Sequence, residues 1–239
     1  MKQYSPFRFK QFSIEHDRAA MKIGTDSILL GAWTKIYNHE YILDIGTGTG
    51  LLSIMLAQKV HGKCRIDAIE IDKDALHDAA LNINNCPWRD SIELHAIDFM
   101  EYDNNVKYDL IISNPPFYEG LLSPNISRNK ARNARESLNF EMFLKKSSNL
   151  LKWDGRLSMI LPFEISKKII SEAKKNNLFP IVQVNIRPRS GKKYNRTLLE
   201  FRKTKSNIEM TNDELCIVQA NSNTYSSEFR KLTIDFYLQ

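Results

Sequence analysis

The chain has 239 residues, of which 42% are hydrophobic and 26% are charged, a composition that excludes a disordered chain and a fibrous repeat. The 34 Lys and Arg residues outnumber the 28 Asp and Glu residues, and the formal net charge of +6 favours a polyanionic partner such as RNA or DNA. Three scattered cysteines without a Cys-x-x-Cys pair exclude a zinc-finger pattern and a disulfide framework, and no window is apolar enough to predict a membrane span.

From residue 41 onwards, apolar strand patterns alternate with amphipathic helix patterns. The predicted strands are Tyr41–Ile45, Arg65–Ile71, Ser91–Ala96, Tyr108–Ser113, Arg156–Leu161, Ile181–Arg187 and Arg196–Lys203. The predicted helices are Leu51–Gln58, Asp74–Asn84, Asn139–Leu151 and Ile165–Asn176. This alternation predicts an α/β fold of the doubly wound, Rossmann-like kind, with a mostly parallel, seven-stranded sheet and helices on both faces.

Two segments interrupt the alternation, Met1–Trp33 and Glu119–Glu136, and we expect both to face the substrate. We expect a single domain over residues 1–239, in which residues 1–33 cover the substrate and cofactor and residues 34–239 form the core. The C-terminal segment Thr224–Gln239 is expected to dock on that core through its apolar residues Leu232, Ile234, Phe236 and Leu238.

A glycine-rich turn joins the first predicted strand to its helix, where an open α/β sheet binds its ligand. The spacing is Gly-x-Gly-x-Gly, and Leu51 stands where the dinucleotide fingerprint has its last glycine, which weakens a prediction of NAD. An acidic residue two positions before the first glycine suits a cationic cofactor. S-adenosylmethionine carries positive charge and no phosphate, so we predict that it binds here. The residues expected to hold it are Asp44, Gly46, Thr47, Gly48 and Gly50.

Two further carboxylates stand where strands end. Glu70 comes twenty positions after Gly50 and is expected to accept hydrogen bonds from both hydroxyls of a ribose. Asp98 follows the third strand and is placed to accept from an adenine amino group. The adjacent Ile71 and Phe99 belong to the same expected site. The alternative is that Asp44 and Glu70 only cap the helices that follow them.

The motif Asn114-Pro115-Pro116-Phe117 directly follows the fourth predicted strand. A turn made rigid by two prolines, together with the Asn114 side-chain oxygen, offers two acceptors to the hydrogens of a planar amino group. Such acceptors favour the pyramidal form of the nitrogen that attacks a methyl group, and Phe117 is expected to stack on the acceptor base. The motif predicts methylation of an exocyclic amino group, although an ordinary loop turn is the alternative.

Together these motifs resemble the class I methyltransferases, and Asn-Pro-Pro-Phe resembles the branch that methylates adenine N6, guanine N2 or glutamine amides. The lead segment, residues 1–33, adds Ala20–Asp26, with the sequence AMKIGTD, and Leu29–Trp33, with the sequence LLGAW. With them the chain resembles the bacterial tRNA1(Val) (adenine(37)-N6)-methyltransferase family over about Phe9 to Pro162, most of its length.

This resemblance implies that Lys22, Thr25 and Asp26 lie near the methionine end of the cofactor, and that residues 114–117 hold the target adenine. Asn114 is expected to contact the cofactor as well. The alternative for the first three is a helix start in which Thr25 or Asp26 is the N-cap.

Two clusters of basic residues are candidates for phosphate contacts, and solvated surface is the alternative for both. The first cluster consists of Arg128, Lys130, Arg132 and Arg135. The second consists of Arg187, Arg189, Lys192, Lys193 and Arg196, of which Lys192 and Lys193 are the expected RNA contacts.

The sequence thus predicts an S-adenosylmethionine-dependent enzyme that methylates N6 of an adenine in tRNA, most specifically adenine 37 of tRNA(Val). We expect a cytoplasmic monomer that binds no metal and no membrane. Guanine N2 or protein glutamine methylation is the alternative activity, and a non-catalytic RNA-binding protein with a vestigial cofactor cleft is the alternative from another class.

Overall fold

The computed structural model describes residues 5–37, 40–60, 63–115, 140–220 and 223–238. The strands are β1 Phe7–Arg8, β2 Ser13–Ile14, β3 Tyr41–Ile45, β4 Arg65–Glu70, β5 Ile92–Ala96, β6 Tyr108–Ser113, β7 Leu151–Pro162, β8 Leu178–Arg189, β9 Arg196–Lys203 and β10 Thr211–Val218. The helices are α1 Thr25–Trp33, α2 Leu51–Lys59, α3 Lys73–Asn85, α4 with residues 140–150, α5 Ser166–Lys174 and α6 Ser227–Leu232. Within these ranges, no helix is long and apolar enough to cross a membrane.

Strands β3 to β10 form one sheet of eight strands in the order β10-β8-β9-β7-β6-β3-β4-β5. Neighbouring strands run parallel except around β9, which is antiparallel to both β7 and β8. The predicted doubly wound, mostly parallel sheet is therefore confirmed, but the predicted count of seven strands is one too few. The additional strand, β10, escaped prediction because its first four residues are polar and exposed, so it carries no apolar strand pattern.

The central strands bury both faces of the sheet, as parallel sheets do when helices cover each side. In β3, Ile42 packs into the core beneath α1, α2 and α3, while the adjacent Leu43 packs into the core beneath α4 and α5. Both side chains are fully buried. Because apolar residues occupy consecutive positions in these strands, their sequence signal is strong, and each predicted strand and helix from Tyr41 to Lys203 is present.

The lead segment and the C-terminal segment pack against each other across one end of the helical layer. Lys10 donates its backbone N–H to the carbonyl of Phe236 at 2.8 Å and its Nζ to the carbonyl of Ile234 at 2.6 Å. The predicted docking of the C-terminal segment is confirmed for Phe236, which is buried. Ile234 and Leu238 are exposed, so the prediction was wrong for these two side chains.

Candidate active site

The glycine loop after β3 has a backbone that only glycine adopts without strain. Gly46, Gly48 and Gly50 have φ angles of +69°, +59° and +81°. A Cβ built on Gly46 or Gly48 would meet no atom within 4 Å, so an open concavity faces the loop. The backbone N–H groups of Gly46 and Thr47 both donate to the Ile69 carbonyl at 3.0 Å, which fixes the loop against β4.

Asp44 lies beneath this loop and is completely buried. Its Oδ2 accepts hydrogen bonds of 2.7 Å from the hydroxyls of Thr47 and Ser53, so one carboxylate ties the loop to α2. Burial raises the pKa of Asp44 from 3.8 to about 6, although these hydrogen bonds oppose the rise. Its Oδ1 is buried without a hydrogen-bond partner among the described residues. An orphaned carboxylate oxygen beside an open glycine cradle fits a cationic cofactor, which would supply the missing charge and donor.

Glu70 connects the end of β4 to the glycine loop. Its Oε2 accepts from the backbone N–H of Gly48 at 2.9 Å, and its Oε1 accepts from Ile71 and Asp72 at 2.8 and 2.9 Å. The N-cap of α3 is Asp72, whose side chain accepts from Ala75 at 2.8 Å. Glu70 thus braces the loop and does not cap the helix, while its role toward a ribose stays a prediction.

Asp98 stabilises the turn after β5, where its Oδ1 accepts from the backbone N–H of Met100 at 2.7 Å. The backbone N–H of Ile97 donates to the Glu70 carbonyl at 2.9 Å, so the ends of β4 and β5 are joined at this edge. The half-buried Phe99 packs its ring against Phe143, with centroids 5.3 Å apart. The predicted contact of Asp98 with adenine stays a prediction.

A cavity of about 390 Å³ lies between the lead segment, the glycine loop and the end of β6. Seven of the predicted cofactor-binding residues line it: Lys22, Thr25, Asp26, Gly46, Thr47, Gly48 and Asn114. The other six do not line it: Asp44, Gly50, Glu70, Ile71, Asp98 and Phe99. The structure therefore brings the lead segment and Asn114 to one cavity, and it places Glu70 and Asp98 at the adjoining strand ends.

One charged side chain of the lead segment holds the turn beside the cavity. Nζ of Lys22 donates to the carbonyls of His16, Asp17 and Ala19 at 2.6, 3.0 and 3.1 Å, and so fixes the turn that precedes the cavity wall. The N-cap of α1 is Gly24. The helix start predicted here is confirmed, but neither Thr25 nor Asp26 is the cap.

Asn114 follows β6 at the rim of the cavity. Its Nδ2 donates to Oγ of Ser27 at 2.9 Å, which leaves Oδ1 as the acceptor of this amide. Ser113, the residue before it, donates its hydroxyl to the Ile45 carbonyl at 2.8 Å and anchors the end of β6 to the end of β3. The predicted site residues Pro116, Phe117, Arg128, Lys130, Arg132 and Arg135 lie outside the described residues.

Sequence reasoning missed two buried polar residues of α3 that hold the lead segment in place. Asn82 donates from Nδ2 to the carbonyls of Glu15 and Thr49 at 2.8 and 2.9 Å, and its Oδ1 accepts from the Glu15 N–H at 2.7 Å. Oδ2 of Asp78 accepts from the N–H groups of Arg18 and Ala19 at 2.9 and 2.8 Å. Both lie on the otherwise apolar face of α3, and that interruption was the available signal.

The second basic cluster divides into paired and unpaired cations. Nη2 of Arg187 lies 2.6 Å from Oε2 of Glu214, and Nη1 of Arg189 donates to the Gln219 carbonyl at 3.2 Å. Lys192 and Lys193 are exposed, and neither contacts a carboxylate within the ranges that the structure describes. These two lysines are therefore available to an external anion.

Solved structures share this architecture. A predicted O-methyltransferase from Agrobacterium tumefaciens matches with a TM-score of 0.70 at 17% identity, covering 88% of this chain and 96% of that chain. A putative RNA methyltransferase from Pyrococcus horikoshii matches with a TM-score of 0.52 at 20% identity, covering 74% and 82%. The family model described as Methyltransferase small domain matches residues 18–173. The fold, the glycine loop and this match define a class I S-adenosylmethionine-dependent methyltransferase.

Curated relatives make the assignment more specific. The tRNA1(Val) (adenine(37)-N6)-methyltransferase of Bacteroides fragilis is 40% identical over 237 residues, which cover 98% of each chain. Its namesake from Haemophilus influenzae is 41% identical over 239 residues, covering 98% of this chain and 99% of that one. The chain belongs to the tRNA1(Val) (adenine(37)-N6)-methyltransferase family.

Proposed function

We propose that the chain transfers the methyl group of S-adenosylmethionine to N6 of an adenine in tRNA, and that this adenine is residue 37 of tRNA1(Val). The observation that carries the proposal is the placement of Asn114 at the rim of the cofactor cavity, with Nδ2 already engaged by Ser27. Full-length relatives whose names state this reaction support the same choice of substrate.

Different residues in and beside the cavity bind different parts of the cofactor. The open concavity at Gly46 and Gly48 admits the sulfonium end, and the negative charge of Asp44, buried beneath the loop, attracts its positive charge. Glu70 and Asp98 serve the ribose and the adenine from the neighbouring strand ends. When bound, the cofactor supplies an electrophilic methyl group.

Asn114 acts on the amino group that is methylated. An aromatic amino nitrogen delocalises its lone pair into the ring and is a poor nucleophile. A hydrogen bond accepted by Oδ1 of Asn114 favours the pyramidal nitrogen and fixes it for in-line attack. The methylated nitrogen is strongly acidic and would release its proton to solvent water, so no strong general base is required. Ser27 keeps Oδ1 toward the substrate because it occupies Nδ2.

An adenine in an anticodon loop is already unpaired, so placing it in this site costs less free energy than extracting it from a duplex.

We also propose that the protein works as a monomer in the cytoplasm. The elution volume in size-exclusion chromatography, with and without tRNA, tests the monomeric state.

The test of function incubates the purified chain with labelled S-adenosylmethionine and, separately, unmodified tRNA, rRNA and total protein. The labelled pool is digested, and its product is identified by mass spectrometry. We expect N6-methyladenosine from tRNA.

An Asn114→Ala variant should lose about a hundredfold or more of turnover, the loss typical when one positioned polar group is removed from a reacting centre. Its cofactor affinity, measured by calorimetry, should fall far less than its turnover. N2-methylguanosine or methylglutamine as product would overturn the substrate, and full activity of Asn114→Ala would overturn the mechanism.

A further inference from the structure

A second concave surface, of about 510 Å³, lies on the hairpin formed by β8 and β9. We call it the hairpin groove, and its lining residues are Phe163, Glu164, Arg187, Lys192, Lys193 and Tyr194. In the sheet register, Arg196 at the start of β9 pairs with Pro162 at the end of β7. Because β7 runs parallel to β6, the groove lies at the same sheet edge as Asn114.

The hairpin groove and the cofactor cavity share a wall. Successive residues of a strand point to opposite faces. In β8, Pro188 lines the cofactor cavity, whereas Arg187 before it lines the groove. In the connection that leads into β9, Asn195 lines the cavity and Tyr194 lines the groove. A strand of RNA that delivers a base to the cavity can therefore place an adjacent nucleotide in the groove.

Two aromatic rings in the groove are held in place by an arginine that is itself paired. The rings of Phe163 and Tyr194 lie 5.2 Å apart between centroids, and the guanidinium of Arg187 lies 4.5 Å from the centre of the Tyr194 ring. Glu214 holds Arg187 in that position from β10 at 2.6 Å. This arrangement preorganises the Tyr194 ring against the hairpin.

The charges in the groove are arranged asymmetrically. Lys192 and Lys193 lie at the turn of the hairpin, exposed and without a carboxylate partner in the described part of the chain. Glu164 lies beside Phe163, and its negative charge repels a phosphate on the aromatic side. Phosphate contacts therefore belong at the two lysines, and an unstacked base belongs at the rings.

We propose that the hairpin groove binds a nucleotide that neighbours the methylated adenine, with its base stacked on Phe163 beside Tyr194 and its phosphates at Lys192 and Lys193. This inference rests on the proposed function, because it requires an RNA substrate. It adds an aromatic base platform to the phosphate contacts expected from the sequence. Stacking tolerates any base. The groove therefore increases the affinity for RNA and positions the RNA strand, but it does not discriminate between base sequences.

The experiment measures the affinity of the full chain for a fluorescently labelled, unmodified anticodon stem-loop at several salt concentrations. The double variant Lys192→Ala/Lys193→Ala should weaken binding and lower the salt slope by roughly 0.7 for each single-strand phosphate that the lysines no longer neutralise. Phe163→Leu keeps an apolar side chain but removes the ring. It should weaken binding by roughly tenfold, within the range measured for base–aromatic stacking, and leave the salt slope unchanged.

The control is Lys174→Ala/Lys175→Ala, which removes the same charge from exposed positions at the end of α5, at the opposite edge of the sheet. Cofactor affinity and the thermal midpoint should be unchanged in every variant, which reports correct folding. The inference is overturned if the Lys192/Lys193 variant binds RNA like the control, or if Phe163→Leu changes turnover without changing RNA affinity. Absence of RNA methylation by the unmodified chain would instead overturn the proposed function, so the two failures are distinguishable.

Discussion

Arg196 and Asp26 form an ion pair across 170 residues of sequence, with Nε of the arginine 2.8 Å from Oδ2 of the aspartate. Each side chain is about a quarter exposed, and both residues line the cofactor cavity. The pair therefore joins the lead segment to the hairpin of β8 and β9 directly above the cofactor site.

Breaking this ion pair should lower cofactor affinity more than it lowers the stability of the fold. Arg196→Gln is expected to weaken cofactor binding by about tenfold, because the lead segment loses one anchor, while the free energy of unfolding falls by about 1 kcal/mol or less, as for partly exposed pairs. Calorimetric titration and urea unfolding measure the two quantities. Cofactor affinity equal to that of the unmodified chain would contradict the anchoring role.

Asp44→Asn should lower cofactor affinity without lowering the stability of the protein at pH 7. The pKa of Asp44 in the folded state, about 6, lies above its ordinary value of 3.8. Between these values the folded chain still holds a proton that the unfolded chain has released. The free energy of unfolding therefore falls as pH rises from about 4 to 6, by up to about 3 kcal/mol from this group.

Asparagine carries no charge, so the variant should lack this decline and be at least as stable as the unmodified chain at pH 7. Its cofactor affinity should nevertheless fall, because the buried negative charge is gone. Urea unfolding at pH 4.5 and pH 7 gives the comparison. The same pH dependence in both proteins would show that Asp44 does not titrate in this range.

Asn82→Ala should release the lead segment. The variant loses three hydrogen bonds that join Glu15 and Thr49 to α3, so cofactor binding should weaken and residues 15–22 should become sensitive to protease. Limited proteolysis with mass spectrometry locates the cuts. Asn84→Ala, an exposed position on the same helix, is the matched control. Equal protection in both variants would argue against Asn82 as the anchor.

Arg156→Met should be strongly destabilising without a specific effect on catalysis. The guanidinium is buried between Glu40 at 2.8 Å and Glu200 at 3.0 Å, so its removal leaves two buried carboxylates without the cation that pairs with both. We expect a loss of about 3–5 kcal/mol in the free energy of unfolding, measured with urea. The triple variant Arg156→Met/Glu40→Gln/Glu200→Gln should recover much of that loss. No recovery would show that packing, and not unpaired charge, sets the cost.

Sequence reasoning located the residues whose position follows from the end of a strand. The glycine loop and Asn114 directly follow apolar strands and Glu70 ends one, and parallel strands bring such residues to one edge. It failed where partners are distant in sequence. Arg196 follows other basic residues, which makes it a candidate phosphate contact, but its carboxylate partner lies in the lead segment. Likewise, the anchoring by Asp78 and Asn82 depends on backbone groups more than 55 residues away.

The packing of the lead segment on the C-terminal segment also sets an order of assembly during synthesis. The rings of Phe7 and Phe9 lie within 6.3 Å of Tyr237, and the backbone of Lys10 pairs with that of Phe236. These contacts cannot form until residues 236 and 237 have been translated. The ribosome-bound protein can build its central parallel strands and the contacts of the lead segment with α3 earlier, but this second anchor of the lead segment forms later.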